Sequence, residues 1–114
     1  MAPNLYLVFS KRPEAISAAD YDRWYEQHAQ ENIESPGFLS ARRYEISHVN
    51  GPPAPFEHLA LYEYEGPMSQ WRASLNERIE SGDVKLPDWF PQIQFGSWDA
   101  TPVSGLLTPA RSER

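Results

Sequence analysis

Two histidines and a set of tyrosines are the residues of this 114-residue chain with most chemistry to offer. His28 and His58 stand on well separated segments. An imidazole takes or gives a proton near neutral pH because its ordinary pKa is about 6.5. Tyr6, Tyr21, Tyr25, Tyr44 and Tyr62 carry hydroxyls able to hold an oxygen on which charge develops. The expected catalytic set is His28 and His58 with Tyr62 and Tyr25. The expected binding wall is Tyr6, Tyr21, Trp24, Tyr44, Trp71, Trp89 and Phe90, with Ala60 leaving room between bulky neighbours. Such walls suit a small, flat, hydrophobic substrate of aromatic or polyketide-like character.

Other chemistries are poorly supplied. There is no cysteine, hence no disulfide, thiolate nucleophile or thiolate metal site. No serine sits in a G-x-S-x-G elbow. His28, His48 and His58 are scattered with no H-E-x-x-H spacing, so no metal is expected. No Gly-rich phosphate loop is present, and no cofactor is expected. Sixteen acidic against ten basic residues give −6 with no basic run, which argues against nucleic acid or an anionic membrane as partner. The apolar run 5–9 is too short for a membrane span or a signal peptide and has no basic flank, so a cytoplasmic location is expected.

The elements that must position these groups follow from periodicity. In the stretch 18–38, Tyr21, Trp24, Tyr25, His28 and Asn32 recur at helical spacing and share one stripe, which predicts an amphipathic helix ending at Pro36-Gly37. Ser17 with Asp20 three residues on resembles a capping box. Residues 4–10 read as a strand with apolar groups on both faces. Residues 38–48 read as a second, with Phe38, Ser40, Arg42, Tyr44 and Ile46 on one side and Leu39, Ala41, Arg43 and Glu45 on the other. The Asn50-Gly51 turn and the prolines after it lead to a third strand, 56–64, in which His58, Ala60, Tyr62 and Tyr64 share a face opposite Leu59 and Leu61. Gly66-Pro67 opens a second helix with the stripe Met68, Trp71, Leu75 and Ile79, closed by Gly82. After a proline-punctuated loop, residues 92–101 read as a fourth strand in which Gly96 marks a bulge.

The order strand, helix, strand, strand, helix, strand predicts an α+β, ferredoxin-like βαββαβ domain over residues 1–101. Its four-stranded antiparallel sheet carries both helices on one face. The other face is also apolar, which predicts a second copy of the chain against it. The tail 102–114, with Val103, Leu106 and Leu107, is expected to be partly disordered or packed on that partner.

The segments N-L-Y-L-V-F-S, W-Y-E-Q-H, S-P-G-F and H-L-A-L-Y-E-Y together resemble the dimeric α/β-barrel superfamily over residues 4 to about 100. The likeness is to its EthD-like and stress-responsive group, with the small polyketide cyclases as a neighbouring branch. It implies a homodimer packed sheet to sheet, with a pocket in each subunit between sheet and helices. His28 lies eight residues before Pro36-Gly37-Phe38, where the EthD-like pattern carries a histidine, and His58 matches a histidine position of the cyclase branch. Residues 66–91 contain no histidine, so the cyclase mechanism does not transfer intact. The resulting expectation is a cofactor-independent enzyme doing proton-transfer chemistry of lyase, isomerase or cyclase type. The alternatives are cofactor-free monooxygenation of a similar substrate and a non-catalytic ligand-binding or stress-associated barrel protein.

Overall fold

A computed structural model describes residues 2–111. Strands β1 (Asn4–Lys11), β2 (Phe38–Glu45), β3 (His58–Tyr64) and β4 (Gln94–Ala100) form one sheet in the order β2-β3-β1-β4. Every neighbouring pair is antiparallel. Helices α1 (Ala18–Asn32) and α2 (Met68–Ser81) join β1 to β2 and β3 to β4. This is the ferredoxin-like α+β arrangement that the element order predicts.

Local chemistry places the helix ends. The Ser17 hydroxyl accepts from the Asp20 backbone N–H at 3.1 Å, which satisfies one of the free donors of the first turn. Gly82 closes α2 with φ +88°. The first helix ends earlier than the Pro36-Gly37 stop predicts, with Ile33 as its cap. Residues Ile33 to Ser35 continue as single turns, Ser35 N–H bonding Asn32 C=O at 3.1 Å. The chain then reverses through Gly37 at φ +100°.

Strand boundaries and faces need three corrections to the sequence reading. The second and third strands are shorter than 38–48 and 56–64, because the Pro-rich loop between them holds few ladder bonds. A register shift between Phe38 and Ser40 breaks strict alternation in β2, so Phe38 joins Ala41 and Arg43 on the helix side. That slip turns Ser40, Arg42 and Tyr44 to the opposite face. Gly96 marks no bulge: β4 pairs with β1 in unbroken register, Gly96 opposite Phe9. A Cβ there would lie 3.0 Å from Phe56 and Trp98 ring atoms, so the glycine makes room for two aromatics.

The core lies between the sheet and α1. Tyr21, Tyr25 and Ala29 of the helix pack with Ala60 and Tyr62 of β3 and with Ile93 just before β4. Trp71 of α2 closes one end against Tyr6 and Phe38, each at 4.8 Å between ring centroids. The far side of the sheet carries Leu5, Leu7, Phe9, Leu59, Leu61 and Trp98, with Trp98 55% exposed. Residues 102–111 hold no regular secondary structure, and Val103, Leu106 and Leu107 are exposed; positions 112–114 of the predicted tail lie outside the described residues. No helix among the described residues is long and apolar enough to cross a membrane.

The reversal at Gly37 offers a direct test. A Cβ there would meet the Glu65 carbonyl oxygen at 3.0 Å and would have to adopt a left-handed backbone. Gly37→Ala is expected to cost about 1–3 kcal/mol in urea unfolding, with the denaturant slope unchanged.

Candidate functional site

A pocket of about 260 Å³ opens between α1, α2, the sheet and the segment leading into β4. It is lined by Tyr6, Val8, Tyr25, His28, Asn32, Tyr62, Leu75, Ile79, Leu86, Phe90 and Phe95. Its walls are mostly apolar, with polar groups converging from α1 and β3. His28 and Asn32 stand four residues apart on α1, so both lie over the same stretch of sheet. Tyr62 reaches them from β3.

Burial sets the protonation of these groups. His28 stacks on Trp24, ring centroids 4.7 Å apart and planes 16° from parallel. Phe90 lies 6.2 Å from it. No carboxylate compensates, so desolvation of the cation holds the His28 pKa down at about 4. Its buried Nδ1 has no hydrogen-bond partner among the described residues. Burial pushes the Tyr62 hydroxyl up to about 12, opposed by the bond from Asn32. Burial likewise raises Tyr25 well above its ordinary value, although the Arg43 guanidinium, 4.7 Å from its ring centre, works the other way. Near neutral pH the site therefore holds an uncharged imidazole and protonated phenols.

Of the candidates read from sequence, His28, Tyr25, Tyr62, Tyr6 and Phe90 line this one pocket. Trp24 and Trp89 flank it: Trp24 backs His28 and Trp89 packs edge-on against Trp24 at 5.0 Å. Ala60 and Tyr21 are buried in the core, and the Tyr21 hydroxyl donates to Ser10 Oγ at 2.8 Å. Trp71 is buried behind Tyr6. Tyr44 lies on the opposite face of the sheet, 42% exposed, because of the slip in β2.

His58 does not share the cavity with His28. The two imidazoles are on the same side of the sheet, but the His58 ring packs on Tyr21 at 5.3 Å. It borders a separate cavity of about 420 Å³ with Arg12, Glu45 and Glu57. Burial, and behind it the charge of Arg43, lowers its pKa; Asp22, Glu57 and Glu45 oppose this. The tyrosine layer of α1 stands between the two histidines, a separation that face-counting in sequence does not reveal. No group of three or more acidic or histidine side chains among the described residues is placed to hold a metal ion.

Asn32 is the polar residue that the sequence reading places on the stripe without a role. It is 7% exposed, and its Nδ2 donates to the Tyr62 hydroxyl at 3.1 Å. A carboxamide on an otherwise aromatic stripe was the available signal, since a buried amide must find partners.

No family model and no curated protein matches the sequence. Among solved structures, the fold is similar to that of a candidate monooxygenase from Shewanella loihica PV-4, with a TM-score of 0.61. The similarity covers 92% of this chain and 99% of that one at 12% identity; it shows a common fold.

The His28 environment predicts a pH dependence of stability. Its folded pKa lies below the unfolded value of 6.5, so the unfolded chain binds more protons between pH 6.5 and 4. The stabilisation is complete above pH 6.5 and is lost as pH falls toward 4. Allowing for partial exposure, wild type is expected to lose about 2 kcal/mol more than His28→Phe across this window in parallel urea melts.

Proposed function

We propose that the pocket is an active site in which His28 takes a proton from a small, flat, largely apolar substrate, without a cofactor. The observation that carries this reading is an uncharged imidazole, His28, lining a pocket whose other polar groups are neutral hydrogen-bonding side chains. An imidazole held near 4 is a weak base, so the proton it takes must be an acidic one. A phenolic O–H, or a C–H flanked by carbonyl or enol groups, meets that condition. Tyr62 and Tyr25, kept protonated by burial, would stabilise the oxygen on which negative charge collects. His58, in its separate cavity, has no part in the proton transfer on this reading.

The resulting carbanion has two fates. Returned to a proton at another carbon, or expelling a leaving group, it gives isomerase, cyclase or lyase chemistry. The second fate is favoured by the similarity to a candidate monooxygenase. There the carbanion gives up an electron pair to dioxygen, a C–O bond forms, and the hydroperoxide loses water to leave a carbonyl. One O₂ is consumed, one oxygen atom enters the product and one leaves as water.

The test follows both oxygen uptake and product mass while the protein is incubated with hydroxynaphthalenes and cyclic 1,3-diketones. Oxygen uptake with a product 14 mass units heavier identifies oxygenation; an anaerobic product identifies lyase or isomerase chemistry. Turnover is expected to fall by about 10²–10⁴-fold in His28→Ala with an unchanged circular dichroism spectrum. The acidic limb of kcat/KM is expected near pH 4. A limb near 6.5 would point to a different base, and binding without turnover would make the protein a ligand carrier.

We further propose that two copies pack through the outer sheet face; the apolar side chains of Leu5, Leu7, Leu59, Leu61 and Trp98 on that face support this reading. Association removes from water the apolar area these residues still expose, worth about 25 cal/mol per Å²; the leucines are already half-buried and Trp98 is the most exposed of the set at 55%. Light scattering coupled to gel filtration is expected to give the mass of two chains for wild type and of one chain for Leu61→Glu. A wild-type mass of one chain would remove the dimer.

A further inference from the structure

Arg78 joins the elements that enclose the pocket. It stands on α2, beside Ile79 and three residues after Leu75, and both of these line the pocket. Its guanidinium reaches across to the end of α1. There Nη1 donates to the Glu31 carbonyl oxygen at 2.6 Å and to the Ser35 hydroxyl at 3.0 Å. Ser35 is buried, and Glu31 directly precedes Asn32 of the pocket wall. The last carbonyls of a helix lack partners within it and carry partial negative charge. Helix α1 has no basic residue in its own last turn, so the cation comes from α2. The Arg78 main chain holds a third element. Its carbonyl accepts from the buried Val84 N–H at 3.1 Å, which fastens the start of the segment that brings Leu86 and Phe90 to the pocket.

We propose that Arg78 is a positioning residue that fixes the gap between α1 and α2, and with it the breadth of flat ligand that the pocket admits. Two points pin α2. Trp71 is held against Tyr6 and Phe38 of the sheet, and Arg78, about two turns further on, is held against the end of α1. Leu75 lies between them and lines the pocket. Apolar contact at Trp71 alone is non-directional and leaves the far half of α2 free to swing outward. A guanidinium nitrogen donating to two acceptors at once fixes direction as well as distance. Removing it deprives the buried Ser35 hydroxyl of this donor and releases that half of the helix. Leu75 and Ile79 then move away from His28 and Asn32, and the pocket widens. The inference rests on the reading that the pocket takes a flat apolar ligand; it does not require that His28 performs catalysis.

Fluorescence titration of the intact protein under argon with 2-naphthol and the broader 1-hydroxypyrene tests this without turnover. Wild type is expected to bind 2-naphthol at least about tenfold tighter, although the larger ring system has more apolar surface to bury and would win in an open groove. Arg78→Met keeps an apolar stem and removes every donor. Its preference for 2-naphthol is expected to shrink by about tenfold or to invert, through the loss of charge-assisted hydrogen bonds, with an unchanged circular dichroism spectrum. Ser35→Ala removes one of the two acceptors and is expected to move the ratio the same way by about threefold. A general loss of stability would weaken both ligands together and leave their ratio where it was. An equal or stronger wild-type affinity for 1-hydroxypyrene would overturn the proposal even if Arg78→Met does not fold, and so would an unchanged ratio in either folded variant. If neither ligand binds wild type, the flat-ligand reading falls and this inference with it; binding with an unshifted ratio overturns this inference alone.

Discussion

The structure depends on the contact between the aromatic stripe of α1 and strand β3. Tyr21, Tyr25 and Ala29 meet Ala60 and Tyr62 there, and the small side chain at Ala60 is what lets two tyrosine rings approach the sheet. Large aromatic surfaces supply most of the burial in a chain of this size. Their hydroxyls must then be accounted for one by one. Tyr21 pairs with Ser10 and Tyr62 with Asn32. Each pair ties the helix to a strand through a polar bond set inside an apolar contact, which fixes its sliding position as well as its distance.

The second helix makes a different contribution. Trp71 seals the end of the core against Tyr6 and Phe38, while Leu75 and Ile79, one and two turns further on, border the pocket instead of filling it. Residues 83–93 complete the enclosure, bringing Leu86 and Phe90 to the mouth. The site is thus a gap left between the well-packed α1 layer and the looser side formed by α2. Its polar groups come from the well-packed side, where side chains are held against neighbours, and its apolar groups from α2 and the segment after it together with Val8 and Phe95 of the sheet. A rigid polar wall facing an apolar one is a sound arrangement for orienting a flat ligand.

Electrostatically the site is governed by desolvation more than by charge. The guanidinium of Arg43 sits over the Tyr25 ring and pairs with Asp22 at 3.1 Å. The pocket itself is lined by no ionised group. His28 is neutral because nothing offsets the desolvation of its cation, and Tyr62 and Tyr25 stay protonated because desolvation of their anions outweighs the help of Asn32 and Arg43. Any charge that forms on a ligand must be held by dipoles already in place, which is the condition under which preorganised hydrogen bonds matter most.

Much of this fold was legible in the sequence because periodicity is a local property. The α1 stripe, the Ser17 cap, the Gly82 stop and the alternation in β1 and β3 all depend on residues a few positions apart, and their order leads to the ferredoxin-like arrangement. His28, Tyr25 and Tyr62 could be placed near one another on the same grounds. Non-local packing decided the rest. The slip between Phe38 and Ser40 reverses the facing of Tyr44, and no composition rule marks it. The separation of His58 from His28 is set by the thickness of one tyrosine layer, a distance measured across the fold. Asn32 gains its place in the site only when Tyr62, thirty residues away in the chain, arrives within hydrogen-bonding reach. The chain alone determines which side chains share a face; three-dimensional packing determines which share a cavity, because a cavity is defined by what the other elements leave unfilled.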